Sequence, residues 1–355
     1  MKRLAVVLFN LGGPDQQAAV EPFLFNLFSD PAIIRLPNPW RWLIAKLISR
    51  RRAPIAREIY RHLGGGSPLL ANTEAQATAL QAALNQRLGE GGVTVRVIVA
   101  MRYWHPQSAV VAAAVRDFAP DRVVLLPLYP QYSTTTTGSS AVAWRKAAEA
   151  VGVSAKTQLI CCYPTEPGFI AAVVERTKTG IAEAMASVPG GKPRIIFSAH
   201  GLPMKIVKSG DPYVEHAAAT CRAIAAGLGL GADEWELGFQ SRVGPVQWVG
   251  PATDELIARA AEAKRAMVVV PIAFVSEHSE TLVELDIEYR KLALERGAPA
   301  YIRVPTVAAH PAFIAGLTRL VCETIADQKR PIIAFGPGCS DNARACPCRA
   351  PAGAI

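Results

Sequence analysis

The stretch Val268-Val269-Val270-Pro271-Ile272-Ala273-Phe274 reads as a strand buried on both faces, because it is continuously apolar and does not alternate. Ser276-Glu277-His278-Ser279-Glu280 follows it and leads into a helical pattern carrying Glu284, Asp286 and Glu288. At 100° per residue, Glu277, Glu280, Glu284 and Glu288 fall within roughly 80° of one another. Leu282, Leu285 and Tyr289 lie well round from that stripe and supply a packing face. An acidic ladder that starts at the carboxyl end of a buried strand stands where open α/β sheets hold ligands. A solvated helix face explains the same spacing, so periodicity alone does not decide between them.

Outward from this stretch, strands and helices alternate. Residues 4–9, 94–100 and 122–129 read as strands, with helical periodicity over 73–88 and 108–118. The second half repeats the scheme: strands at 194–198, 236–240 and 267–274, helices at 213–228 and 252–263. The strand-end loops repeat too. Val6-Val7-Leu8-Phe9-Asn10-Leu11-Gly12-Gly13-Pro14 is similar to Ile195-Ile196-Phe197-Ser198-Ala199-His200-Gly201-Leu202-Pro203, and Val123-Val124-Leu125-Leu126-Pro127 to Val268-Val269-Val270-Pro271-Ile272. Two doubly wound, Rossmann-like α/β lobes related by duplication account for this, residues 1–160 and 161–330, followed by a tail at 331–355. Their strand-end loops are expected to face a shared cleft, gathering His200, Arg102, Tyr103 and the acidic ladder.

Length and composition fit this reading. The chain has 355 residues, half of them hydrophobic, with 27 Gly, 27 Pro and a formal net charge of +9. That charge favours anionic partners, but the basic residues are dispersed and no basic tail appears, so nucleic acid is not expected. Met1-Lys2-Arg3 before an apolar run imitates a signal peptide; without a small-residue cleavage site it reads better as a first buried strand. No run approaches the roughly 18 apolar residues of a spanning helix. A cytoplasmic protein, soluble or touching a membrane surface, is expected.

Neither half carries G-x-G-x-x-G, and Gly64-Gly65-Gly66-Ser67-Pro68 lacks the lysine of a phosphate loop, so no nucleotide is expected. Ser133-Thr134-Thr135-Thr136-Thr137-Gly138-Ser139-Ser140 could bind an anion or form a helix cap. Trp40, Trp42, Leu43, Ile44, Leu47 and Ile48, mixed with Arg41 and Lys46 and followed by Arg50-Arg51-Arg52, suit either a membrane interface or ordinary helix packing. Of seven cysteines, Cys221 and Cys322 sit in apolar helical surroundings and read as reduced core residues.

These motifs, with Met101-Arg102-Tyr103-Trp104-His105-Pro106, residues 126–140 and residues 240–251, run in one order over nearly the whole chain and closely resemble the ferrochelatases. The family inserts Fe²⁺ into a porphyrin at the last step of haem synthesis, on a chelatase fold. The resemblance implies His200 as proton acceptor and Glu280 as its acidic partner across the cleft. It implies Glu277, His278, Glu284 and Glu288 as an iron route, on a helix that carries a π-type irregularity in the family. Hard carboxylates suit that task because they hold Fe²⁺ loosely. Leu11, Arg102, Tyr103, Ser133, Tyr163, Ser241 and Trp248 match porphyrin-pocket positions. Apolar Leu11 is similar to the forms that use protoporphyrin IX, whereas His62 departs from a basic propionate-binding position.

Some ferrochelatases carry a [2Fe–2S] cluster, and Cys339, Cys346 and Cys348 in a Gly/Pro-rich tail suit three of its ligands. The animal pattern draws the fourth from the Ser/Thr loop, where Thr134 cannot serve; Cys162 or Cys161 would replace it. Strand alternation sends Cys161 to the face of Tyr163, which favours Cys162. A zinc site or free thiols remain open. The implied partners are porphyrin, ferrous iron and the inner membrane surface, with the chain a monomer or homodimer. A non-catalytic tetrapyrrole carrier, or a chelatase for coproporphyrin or another divalent metal, is the alternative.

Overall fold

The computed structural model describes residues 1–242, 244 and 246–349. Two compact units are present. The first comprises Met1–Cys162, Leu317–Ala334 and the described residues from Pro347; the second comprises Tyr163–Gly316 and Phe335–Cys346.

The first unit is built on strands β1 (Arg3–Asn10), β2 (Thr94–Met101), β3 (Arg122–Pro127) and β4 (Lys156–Cys162). The second unit is built on β5 (Arg194–His200), β6 (Trp235–Gln240), β7 (Met267–Pro271) and β8 (Tyr301–Arg303), and β9 (Ile332–Ala334) returns to the first. The two sheets are parallel, with orders β2-β1-β3-β4-β9 and β6-β5-β7-β8. Their first four positions share one topology, as the repeated loops implied. In each, the order reverses beside the first strand, β1 or β5, and there the strand ends leave a crevice.

Helices cross over between the strands: α1 (Val20–Phe28), α2 (Trp40–Arg61) and α3 (Leu69–Leu88) before β2, α4 (Ser108–Phe118) before β3, and α5 (Ser139–Val151) before β4. The second unit uses α6 (Pro167–Ser187), α7 (Met204–Lys208), α8 (Tyr213–Leu228) and α9 (Thr253–Glu262), then a π-helix, Glu280–Glu288, that runs into α10 (Tyr289–Glu295); α11 (Pro311–Ala326) precedes β9. Glycine in the left-handed region stops α8 at Gly229, φ +69°.

The run that opened the sequence analysis is β7. Val268, Val269 and Val270 are fully buried, each contributing roughly 1.5–3 kcal/mol by leaving water. The strand ends at Pro271, short of Phe274, because proline has no N–H for the ladder. His200, by contrast, still pairs with Gln240, so β5 carries the histidine to its very end. The tail is better ordered than its composition suggests: Ile333, Ala343 and Cys346 are buried.

Helix α2 packs through Ala45, Ser49 and Ala53, one stripe at i, i+4, i+8. Trp40, Trp42, Leu43, Leu47 and Ile55 of the same helix are exposed. Among the described residues no helix is long and apolar enough to cross a membrane.

Candidate active site

The second unit gathers a polar site at the ends of β5 and β6. Buried Ser198 on β5 meets Gln240 Oε1 at 2.8 Å and Thr253 Oγ1 at 2.9 Å, which fixes the amide. Gln240 then donates through Nε2 to the Glu280 carbonyl (3.1 Å) and to Glu284 Oε2 (3.0 Å). Gly201 lets the next loop approach: a Cβ there would lie 2.7 Å from the Gln240 carbonyl oxygen.

His200 Nε2 lies 3.5 Å from Glu280 Oε1, and its Nδ1 sits 2.6 Å from the Gly201 carbonyl. A carbonyl only accepts, so Nδ1 carries a proton and Nε2 is the exchanging atom. Burial opposes charge on His200, but the Glu280 carboxylate beside it prevails and lifts the pKa to about 9. Burial likewise opposes charge on Glu280, yet His200 holds it down to about 2. The two share one unit and touch directly, where the sequence reading set them across a cleft. Glu280 Oε2 is buried with no hydrogen-bond partner.

The rest of the acidic ladder divides. Glu284 is bound on every side: by Ser241 N (2.8 Å), Ser241 Oγ (2.5 Å), Gln240 Nε2 and the Tyr289 hydroxyl (3.0 Å). Ser241 holds this geometry with a left-handed φ of +62°. Burial and the charge of Glu280 raise the Glu284 pKa. Glu277 accepts from Arg303 (2.7 Å), Thr306 N (2.9 Å) and Thr281 Oγ1 (2.6 Å), so it anchors the entry to the π-helix. His278 Nδ1 accepts from Glu280 N at 3.0 Å, and burial lowers its pKa, keeping it neutral. Glu288 is exposed. A cavity of about 380 Å³ opens here, lined by Ser241, Arg242, Trp248, Asp254, Glu284 and Tyr289 among others. The Trp248 Nε1–H is buried without a partner.

In the first unit, Arg102 and Tyr103 do form a cation–aromatic pair, 4.8 Å from guanidinium to ring. Both end on Asp30, Arg102 Nη2 at 2.8 Å and the Tyr103 hydroxyl at 2.8 Å, with Ser139 Oγ a third donor. Asp30 went unnoticed in the sequence; its only local signal is the Ser29-Asp30-Pro31 turn after α1. Tyr103 is 1% exposed, and Leu11 packs half-buried beside it with Phe23, Leu24 and Tyr60. Ser133 caps the π-helical turn Thr134–Gly138 by accepting from Thr135 N, and Tyr163 is fully buried. His62 is exposed at the end of α2. The glycine loop packs on its neighbour: a Cβ at Gly66 would strike the Asp15 carbonyl at 2.4 Å.

In the first unit the Cys161 and Cys348 sulfurs lie within 4.8 Å of each other. Cys339 Sγ is 3.4 Å from Cys346 Sγ. The residue of β4 whose sulfur approaches Cys348 is Cys161, and β4 slips register between Ile160 and Cys162 against β9. A bulged residue leaves the strand's alternation, so counting faces along β4 fails at this point. Cysteine pairs, here Cys161 with Cys348 and Cys339 with Cys346, are the donor type that iron–sulfur and zinc centres use.

Fold and site together define a two-sheet parallel α/β protein in which a strand-end histidine adjoins a carboxylate of a π-helix. Among solved structures, SirB from Bacillus subtilis with Fe³⁺ shares the fold at a TM-score of 0.51, with 14% identity over 92% of this chain and 97% of that one. The family model described as Ferrochelatase matches residues 3–325. Proteins named Ferrochelatase from Caulobacter vibrioides (49% identical, 98% of each chain), Hyphomonas neptunium (51%, 89% of this chain and 86% of that one) and Pelagibacter ubique (45%, 97% and 98%) align with it. The chain belongs to the ferrochelatase family: it is a metal chelatase, inserting ferrous iron into protoporphyrin in haem synthesis.

Proposed function

We propose that His200 accepts the pyrrole protons and that Glu280 receives the incoming iron. The observation that carries this reading is the 3.5 Å His200–Glu280 pair with Glu280 Oε2 unpartnered. In the resting pair the proton stays on His200, because Glu280 supplies the opposing charge. A divalent cation on Glu280 neutralises that charge, the histidine pKa falls, His200 releases its proton to solvent, and the freed Nε2 then takes one pyrrole proton at a time and passes each to solvent. Metal delivery and proton removal are thereby coupled at two adjacent groups. Glu284 organises Gln240, Ser241 and Tyr289 around the pair, Glu277 anchors the π-helix, and Glu288 meets hydrated iron at the surface. By their motif positions, Leu11, Arg102, Tyr103 and Ser133 of the first unit and Tyr163, Ser241 and Trp248 of the second are porphyrin-binding residues, with protoporphyrin IX preferred to coproporphyrin because Leu11 is apolar.

Cys161, Cys339, Cys346 and Cys348 would hold a [2Fe–2S] cluster, a one-electron centre outside the metallation chemistry; the approach of Cys161 to Cys348 in the first unit and of Cys339 to Cys346 in the second supports this. The exposed tryptophans and leucines of α2, with Arg41, Lys46 and Arg50, support peripheral contact with the cytoplasmic face of an anionic membrane.

Anaerobic mixing of the protein with protoporphyrin IX and Fe²⁺ tests the central reading. Replacement of the free-base spectrum by that of haem, lost in His200→Ala, is expected. Tight porphyrin binding without metallation would instead make the chain a carrier.

A further inference from the structure

The loop between Cys339 and Cys346 is fastened to the second unit at two points. Ser340 donates through Oγ and N to the Glu215 carboxylate, at 2.6 and 3.3 Å. Ala345 N donates to the Gly210 carbonyl at 3.0 Å. The second fastening requires glycine, since Gly210 has φ +95° and a Cβ there would lie 2.8 Å from Arg344 N. His216 follows Glu215 on the first turn of α8 and is only 3% exposed. Its Nε2 is 3.3 Å from Cys339 Sγ.

We propose that His216 donates its Nε2–H to the Cys339 thiolate and thereby sets the reduction potential of the cluster. This rests on the cluster reading given above. A thiolate bound to iron carries no proton, so the proton in this contact belongs to the imidazole. The hydrogen bond draws charge from the sulfur and favours the reduced state, which is one unit more negative; donors to cluster sulfurs raise the potential in this way. Burial of the ring strengthens the effect. Cys161, Cys339, Cys346 and Cys348 already supply four ligands, so His216 is a positioning residue and does not bind iron. The reaction concerned is [2Fe–2S]²⁺ plus one electron giving [2Fe–2S]⁺, with dithionite as the donor and no bond broken.

Full-length protein, purified anaerobically, is titrated with dithionite and followed by visible absorption and electron paramagnetic resonance. In His216→Leu the potential shifts negative with iron and sulfide content retained, and in His216→Gln, which keeps an N–H, it shifts less. An unchanged potential in the loaded leucine variant overturns the proposal. Should that variant not load, wild-type protein labelled with ¹⁵N-histidine decides the matter. A weak nitrogen coupling in the reduced cluster supports the hydrogen bond, and a ligand-sized coupling or none overturns it. Wild type that is colourless and free of iron removes the cluster reading itself.

Discussion

The Tyr289 hydroxyl donates to Glu284 Oε1 at 3.0 Å, five residues along the same helix. In an ideal α-helix, residues five apart point in different directions; the π-helix Glu280–Glu288, with its i→i+5 repeat, brings them into one row. The residue that α-helical angles assign to the packing face thus belongs to the polar site. Glu284 becomes the hub of a four-donor network.

Glu284→Gln presents an amide N–H₂ to donors that need an acceptor. A loss of about 1–3 kcal/mol in stability is expected, the penalty of leaving buried donors unmatched. Turnover falls with it, because Gln240 and Ser241 lose their shared anchor. Urea unfolding beside iron kinetics checks this. A raised KM for iron at unchanged stability would return Glu284 to the role of a simple relay.

Glu280→Gln removes the charge that holds the His200 proton. Burial is then the dominant influence, and the His200 pKa drops from about 9 to below 6.5, as proton NMR of the imidazole can follow. The raised His200 pKa gives stability that is complete below 6.5 and lost as pH rises through about 9. The depressed Glu280 pKa gives stability that is complete above 4.5 and lost as pH falls through about 2. The stability difference between wild type and variant is therefore largest between about pH 4.5 and 6.5 and shrinks on both sides. Turnover falls by roughly 10²–10⁴, as for loss of a proton-transfer partner.

Much of this was legible beforehand, for physical reasons. Continuous apolar runs such as residues 268–270 can only be buried strands in a chain this size, and the repeated loops forecast the shared strand order. His200 and Glu280 followed from motif context. The partners were not legible, because they depend on local departures from ideal geometry. Tyr289 needed the π repeat, Cys161 needed the slip in β4, and Asp30 carries no periodic signal. Residues 350–355, the end of the expected tail, lie outside the described residues.

Arg303 binds Glu277 at 2.7 Å and Asp286 at 3.2 Å, and its side chain is 9% exposed. Arg303→Met strands two carboxylates, and a loss of about 3–5 kcal/mol is expected. Glu288→Gln, at an exposed position, should change stability by no more than about 0.5 kcal/mol. Chemical denaturation compares the two directly. If Glu288→Gln also leaves iron kinetics at wild type, the outer end of the ladder is a solvated face.

Helix α2 offers Trp40 and Trp42 as its own reporters. Vesicles of anionic phospholipid should shift tryptophan emission to the blue, and raising salt should reverse the shift. Leu43→Ser with Leu47→Ser removes apolar contact worth roughly 1 kcal/mol per residue, so binding should weaken by about tenfold or more. Equal binding to neutral and anionic vesicles would separate the basic residues from the reading.

The choice between Cys161 and Cys162 can be made with two variants. Both side chains are buried, at 0% and 3% exposure, so either serine substitution perturbs packing to a similar degree. The Cys161 sulfur lies within 4.8 Å of the Cys348 sulfur. Cys161→Ser should therefore lose the brown colour and bound iron of an anaerobic preparation, and Cys162→Ser should keep both. The reverse pattern would mean that β4 sheds its bulge when the cluster binds, restoring the alternation from which Cys162 was preferred. Loss in both variants would point to packing of the β4 end, and iron content measured beside thermal unfolding separates that case.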